Sequence, residues 1–432
     1  MVSSNGASTN EKKGQPMVRR LSVGAGPRCI YCKGAGPFSD EHVVCAGLGG
    51  DDNRFLLKEI VCTKCNTEVF SPLELEALRS SPLAIPRSFL QPSSRKRGKH
   101  TSAPKIHAQT KLMINKTGVH YEIDFGKHGK PIVLPQLTIV GGNDFQSAAE
   151  SVEDLASFVE SLTQLLGSPV LFCVRKCALA ESLPYEVSTM TRVGSVYAQL
   201  TPAEKCAKPP TNAVWLEEPS KDQEVSFGTN IYRSLRGTTH LKLVGMTLEE
   251  ALEFYLLATE QIILSNYVDD DVINPLVAVR MTMRIGVMER VIAKIGLNLL
   301  AYYLGPDFLR QSGFDSVKKS IVTGSPGLNL NSIEDLHLLV LLNCVPADQH
   351  CFYLSALTTT EDECTLFMIC RLYGVWSFMC LGTGIASASR PLPFMVTADY
   401  RNHKMRLWSL SEIAELMCNC PDWMGSSPAP QV

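Results

Sequence analysis

Residues 29–66 read CIYCKGAGPFSDEHVVCAGLGGDDNRFLLKEIVCTKCN, and the organisation of the chain is read outward from them. Two Cys-x-x-Cys pairs, Cys29/Cys32 and Cys62/Cys65, are separated by 29 residues. Each pair is a tight turn that aims two sulfurs at one point. Four thiolates suit a tetrahedral zinc ion, and the intervening length leaves room for a hairpin. The alternative is two coincidental pairs of buried free thiols. Four thiolates leave no open coordination position, so such an ion is expected to fold the segment rather than to react.

The chain has 432 residues, 15 of them cysteine, and its opening MVSSNGASTNEKKGQP is polar without an apolar secretory core. That favours a reducing, cytoplasmic setting, where cysteine pairs are metal ligands more often than disulfides. Hydrophobic residues make up 45% and charged residues 19%, which describes a soluble globular protein with a sizeable core. Net charge is −2 overall, but residues 1–110 carry a balance of +7 and the rest −9. A phosphate-binding surface is therefore expected at the front, the alternative being chance clustering around a basic linker. The apolar run 365–386 is about long enough to span a bilayer. It contains Arg371 and a Tyr-Gly pair, so it is read as two buried strands and a turn, and no membrane partner is expected.

Between the cysteine pairs stands Glu41-His42, then Asp51-Asp52-Asn53 after a Gly-Gly turn; Asn66 follows the last cysteine. Singly these are weak signals. Glu-His is also a surface pair, Asn53 also a turn residue, and Asn66 also a helix cap. In this order, inside the doubled cysteine pairs, CIYC, SDEHVV, GLGGDDN and VCTKCN resemble the HNH endonuclease superfamily, in the subgroup where a four-cysteine zinc site braces a ββα-metal fold. The stretch SPLELEALRSSPLAIPRSFL that follows also resembles stand-alone bacterial HNH proteins. So, more weakly, does RVIAKIGLNLLAYYLGPDFL at 290–309.

The resemblance implies a metal-dependent endonuclease that hydrolyses DNA phosphodiester bonds. His42 matches the general base, and Glu41 the acidic neighbour that binds the catalytic ion. Asn53 matches the middle residue that orients the base, and Asn66 the last position, which helps hold the ion. Hydrolysis needs a deprotonated water, which a neutral imidazole supplies near pH 7. It also needs a cation at the phosphate, and a carboxylate with an amide oxygen suits Mg²⁺ or Mn²⁺. Two features depart from the pattern: Cys45 lies where a Pro often follows the His, and Glu41 stands where Asp is usual. Cys45 is read as a small buried hydrophobe or an oxidisable thiol. The alternative function is a non-catalytic zinc-dependent module that binds nucleic acid or another protein. Arg79 and Arg87 are read either as phosphate contacts or as ordinary surface arginines.

The expected fold class is α+β, an N-terminal ββα-metal zinc domain followed by a larger mixed α/β body. Residues 1–26 are read as a disordered tail and 27–90 as the HNH domain. Residues 91–110 are a basic linker carrying Arg95, Lys96, Arg97 and Lys99, and 111–432 are a body that regulates or recognises target, divisible into 111–230 and 231–425. After Asn66 a helix is expected to Phe70, with Ser71 capping a second. Strands are expected over 111–140, a helix over 145–167, a strand over 170–174, and irregular chain over 205–230. Thr247-Leu-Glu-Glu250 marks a capped helix running to about 265. Further helices are expected over 275–303 and 315–322, and strands over 350–409. Lys294 and Asn298, four apart on one helical face, are expected to pair internally or to mark a pocket. His120, His240, His337 and His350 are read as structural.

Overall fold

The computed structural model describes residues 27–93, 96–97, 100–101, 103–114, 118–141, 144–177, 183–217, 228–262, 275–333, 344–386 and 392–419. The expected tail, Arg95, Lys99 and His337 lie outside them. The fold is α+β, as the sequence predicts.

The chain cuts into compact units differently from the expected division. One unit joins the described part of Met1–Leu83 with Ser93–Ser102 and Met283–Val432; the other is Ala84–Pro92 with Ala103–Thr282. The zinc segment and the last third of the chain thus share a unit, and the middle of the chain is an insertion. Burial explains this. A hairpin and a helix are too small to bury their own apolar surface. Val43, Val44, Leu57 and Phe70 instead join one core cluster with Val291, Ile295, Leu299, Leu381 and Tyr400.

In this first unit, β1 (Phe38–His42) pairs antiparallel with β2 (Leu56–Cys62). A π-helical turn over Cys65–Phe70 runs without a break into α1 (Ser71–Arg79). The expected break at Ser71 is absent. Ser71 has helical backbone angles, and its hydroxyl donates to Asn66 O rather than capping a new helix. Helix α2 (Ile285–Leu304) begins ten residues later than expected, because Leu276–Arg280 is a strand with Val277 and Val279 in alternation. From Val291 to Ala301 almost every side chain of α2 is buried, the signature of a helix that is apolar all round. Gly296 permits the packing: a Cβ there would lie 2.7 Å from Leu381 Cδ1. Then come α3 (Asp315–Thr323), a sheet, and α4 (Leu410–Cys418).

The sheet is antiparallel: β3 (Leu330–Ser332), β4 (Gln349–Thr358), β5 (Glu363–Leu372), β6 (Val375–Ala386), β7 (Phe394–Asp399) and β8 (Lys404–Trp408), in spatial order β3-β6-β5-β4-β7-β8. Strands β5 and β6 are joined by Tyr373-Gly374, both with positive φ, as a two-residue hairpin turn requires. The apolar run 365–386 is therefore two strands and a turn. No described helix is long and apolar enough to cross a membrane.

His350 on β4 is fully buried between the rings of Tyr373 and Tyr400, and its Nε2 has no hydrogen-bond partner among the described residues. Burial, reinforced by the Arg371 charge, pushes its imidazole down to about 3. Between that value and about 6.5 the unfolded chain binds a proton that the folded chain does not, so stability falls as pH drops through this window. At pH 5 the expected loss from His350 is about 2 kcal/mol relative to pH 7.5. His350→Phe should remove that share of the pH dependence, read as urea midpoints at the two pH values.

In the second unit an eight-stranded sheet packs its Leu171, Val214, Ile231 and Leu241 against the helices Val152–Leu166 and Leu248–Gln261. Residues 145–167, expected as one helix, divide into the strand Asp144–Ala148 and a helix capped by Ser151, whose side chain accepts the Asp154 N–H. The Thr247–Glu250 capping box is formed as the sequence predicts. Residues 205–230, expected to be irregular, include the strand Ala213–Glu217 and the end of Val196–Cys206. A four-stranded sheet, containing Thr110–Ile114 and His120–Phe125, completes the unit.

Candidate metal centre and hydrolytic site

The two cysteine pairs meet. The sulfurs of Cys29, Cys32, Cys62 and Cys65 all lie within 4.8 Å of one another, and Cys32 Sγ is 3.5 Å from Cys62 Sγ. A tetrahedral zinc with bonds of about 2.3 Å wants sulfurs about 3.8 Å apart, so the donor set fits that ion. The first turn closes by Cys29 N–H to Gly34 O at 2.9 Å and Lys33 N–H to Cys29 O at 3.0 Å. Lys33 is forced to φ +62° to make it. The second pair spans the end of β2 and the start of the helix, and the Cys65 N–H donates to Cys62 Sγ at 3.4 Å. The hydrogen bond between Cys29 and Cys65 shifts the two thiols in opposite directions, Cys29 down to about 4 and Cys65 up. Among the described residues this is the one cluster of three or more His, Cys, Asp or Glu side chains close enough to share an ion.

Strand β1 presents Glu41 and His42 in opposite directions, since successive strand residues alternate faces. A register shift between Ser39 and Glu41 bends the strand, opposite Glu59 at φ +57°. Glu41 turns inward and is 3% exposed. Its carboxylate is ion-paired with Lys294 of α2, which also pairs with Glu74 of α1. Burial raises the Glu41 carboxyl above its ordinary range, opposed chiefly by the Lys294 charge. Burial alone would lower Lys294, but the two carboxylates outweigh it and raise its ammonium well above its usual range. Breaking a buried pair of this kind by removing one partner costs about 3–5 kcal/mol. Glu41 is thus committed to the interior. Glu41, expected to bind a catalytic ion, is here paired with Lys294 and covered, and no step is assigned to it.

His42 is half-buried at the other side of the strand, and its Nε2 lies 2.7 Å from Asp52 Oδ1. The loop that brings Asp52 there is built by its neighbours. Gly49 takes φ +84°, and a Cβ at Gly50 would lie 2.0 Å from Val44 O. Asp51 Oδ1 then accepts the N–H groups of Asn53 (2.8 Å) and Arg54 (3.0 Å), a tight turn that carries Asp52 back to the end of β1. A carboxylate only accepts, so in this pair Nε2 carries a proton, and in the neutral ring Nδ1 keeps the lone pair. A neutral imidazole held by a carboxylate in this way is chemically able to take a proton from water.

No protein-family model matches the chain, and no curated protein or solved structure matches it. The geometry alone therefore speaks for the site.

It places the other expected residues as follows. Asn53 is exposed, and the turn uses its backbone N–H, not its amide. Asn66 donates from Nδ2 to Ser39 Oγ and to Asp40 O, both at 3.0 Å, and so ties the helix to β1. Cys45 is fully buried and burial pushes its thiol up, which makes it a packing residue. Arg87 is 4% exposed, with its Nε on Gln91 Oε1, and is no surface phosphate contact. His240 Nδ1, in the other unit, lies 2.8 Å from Glu217 Oε1, and Lys242 also contacts Glu217. There burial acts to raise Glu217, and His240 and Lys242 together hold it down to about 2, so that cluster satisfies itself.

Sequence reasoning missed Asp52. The available signal was its position in Asp-Asp-Asn directly after Gly49-Gly50, a turn that returns the chain to the strand. Lys294 and Asn298 were singled out, but their partners, Glu41, Glu74 and Tyr31, lie more than two hundred residues away in sequence.

Proposed function

We propose that the chain is an HNH-type endonuclease that hydrolyses DNA phosphodiester bonds, with His42 as general base held by Asp52. The observation that carries this is the 2.7 Å His42–Asp52 pair at the end of a strand braced by a four-cysteine cluster. His42 Nδ1 takes the proton of a water, whose oxygen attacks the phosphorus. The bond from phosphorus to the 3′-oxygen breaks, that oxygen takes a proton from solvent as it leaves, and His42 returns its own to solvent. Zinc, when bound to the cysteines, supplies folding rather than chemistry. Mg²⁺ or Mn²⁺ neutralises phosphate charge in such reactions, and no step here runs through Glu41. Exposed Arg54, in the loop before β2, and exposed Lys58, on β2, are suited to backbone phosphates. A cytoplasmic location accords with thiolates that must stay reduced.

The committed state of Glu41 favours a second reading, a zinc-braced DNA-binding module without catalysis. One experiment separates the two. Duplex DNA binding at low salt, where phosphate contacts are strongest, is measured beside plasmid cutting with Mg²⁺ or Mn²⁺, for wild type and His42→Ala. The enzyme reading expects both proteins to bind and wild type alone to cut. Binding by both with cutting by neither would establish the second reading.

A further inference from the structure

We infer that Asn298 of α2, not Asn53, is the amide that positions His42. The inference rests on the reading of His42 as the base. Asn298 is fully buried, and its Nδ2 donates to His42 O at 3.0 Å and to Glu41 Oε1 at 3.3 Å. Its Oδ1 accepts the Tyr31 hydroxyl at 2.6 Å. The His42 carbonyl, which can only accept, fixes which way the amide faces: the donor end meets that carbonyl and a carboxylate, and the acceptor end meets a phenol.

Tyr31 sits between Cys29 and Cys32 and packs edge-on against Phe70, with ring centroids 4.8 Å apart. One turn earlier on α2, Lys294 holds the Glu41 side chain. Strand β1 is therefore gripped at two successive residues by one helix, Glu41 by its side chain and His42 by its carbonyl, and that grip is tied through Tyr31 to the cysteine cluster. Asn53, by contrast, contributes only its N–H to its own loop. Asn298 acts as a positioning residue: it touches neither water nor phosphate, and it fixes the carbonyl of the residue whose ring does the work. The candidate site is thus completed by a helix 256 residues further along the chain, and residues 27–90 alone do not contain it.

The test uses the full chain and two readouts. In the first, cleavage kinetics of Asn298→Leu should show kcat down about 10–100-fold, with KM within about twofold and zinc content unchanged, the scale of a misplaced catalytic group. The second does not need activity. In histidine-selective ¹³C NMR, the His42 ring signals, assigned by their loss in His42→Ala, should shift or broaden in Asn298→Leu and stay in place in Asn53→Ala. If Asn298→Leu does not fold, Tyr31→Phe, which removes only the orienting hydroxyl, should move the same signals by less. Wild-type signals in a folded Asn298→Leu or Tyr31→Phe protein would overturn the inference, as would an Asn53→Ala protein that moves them as far. A wild type that does not cut would sink the nuclease reading, while the NMR result would still decide whether Asn298 positions His42.

Discussion

Replacing Cys65 by Ser should abolish zinc binding and unfold the first unit. Cys65 is 2% exposed and lies where the end of β2 meets the helix, so as a zinc ligand its sulfur would tie both elements to the ion. For structural zinc, ligand binding free energy is folding free energy, on the order of 10–16 kcal/mol in small zinc-folded peptides. Whole domains are stable by only about 5–15 kcal/mol, so little survives its loss. The damage should not stop at the hairpin, because Cys29, Cys62 and Cys65 belong to the same core cluster as α2 and the six-stranded sheet. Zinc content by elemental analysis should fall from one per chain to none, and the cooperative melt of the first unit should disappear. A Cys65→Ser protein without metal that melts like wild type would show that the four thiols are ordinary packing residues.

Asp52→Asn should cost most of the cutting activity while leaving the fold intact. Asp52 is exposed at the end of a turn whose geometry is set by Asp51, so an amide of the same shape fits. Its chemistry differs. An Asn side chain can offer N–H to His42 Nε2, which moves the ring proton to Nδ1 and removes the lone pair the reaction needs. The equivalent acid-to-amide change in serine-protease triads lowers kcat by about 10⁴ through the wrong tautomer. A loss on the order of 10²–10⁴ is expected here, in kcat rather than KM, measured on plasmid DNA. A wild-type rate in Asp52→Asn would remove Asp52 from the site.

The cysteine spacing made the metal centre legible, because four thiols in two tight turns have few other uses. His42 stands between them, and its 2.7 Å contact with Asp52 is what the proposed function rests on. Glu41 was assigned from its adjacency to His42, but adjacency along a strand means opposite faces, and the inward face met Lys294. Asn53 was assigned from its order in a motif, yet the hydrogen-bond donor behind His42 comes from Asn298. Partners that far apart leave no trace in local pattern. The domain division failed for the same reason. The apolar faces of β1, β2 and α1 say that they must be covered, and nothing nearby says that residues 283–432 cover them. Pro275 suggested a helix start, whereas alternating Val277 and Val279 form a strand.

Cutting of supercoiled plasmid in Mg²⁺ or Mn²⁺, by wild type and His42→Ala at matched zinc content, decides whether the chain is a nuclease that depends on His42. The result predicted is nicking by wild type and a rate lower by about 10²–10⁴ in His42→Ala, the usual contribution of a general base. Equal cutting by both proteins would contradict the assignment of His42, and no cutting by a zinc-loaded wild type would contradict the nuclease.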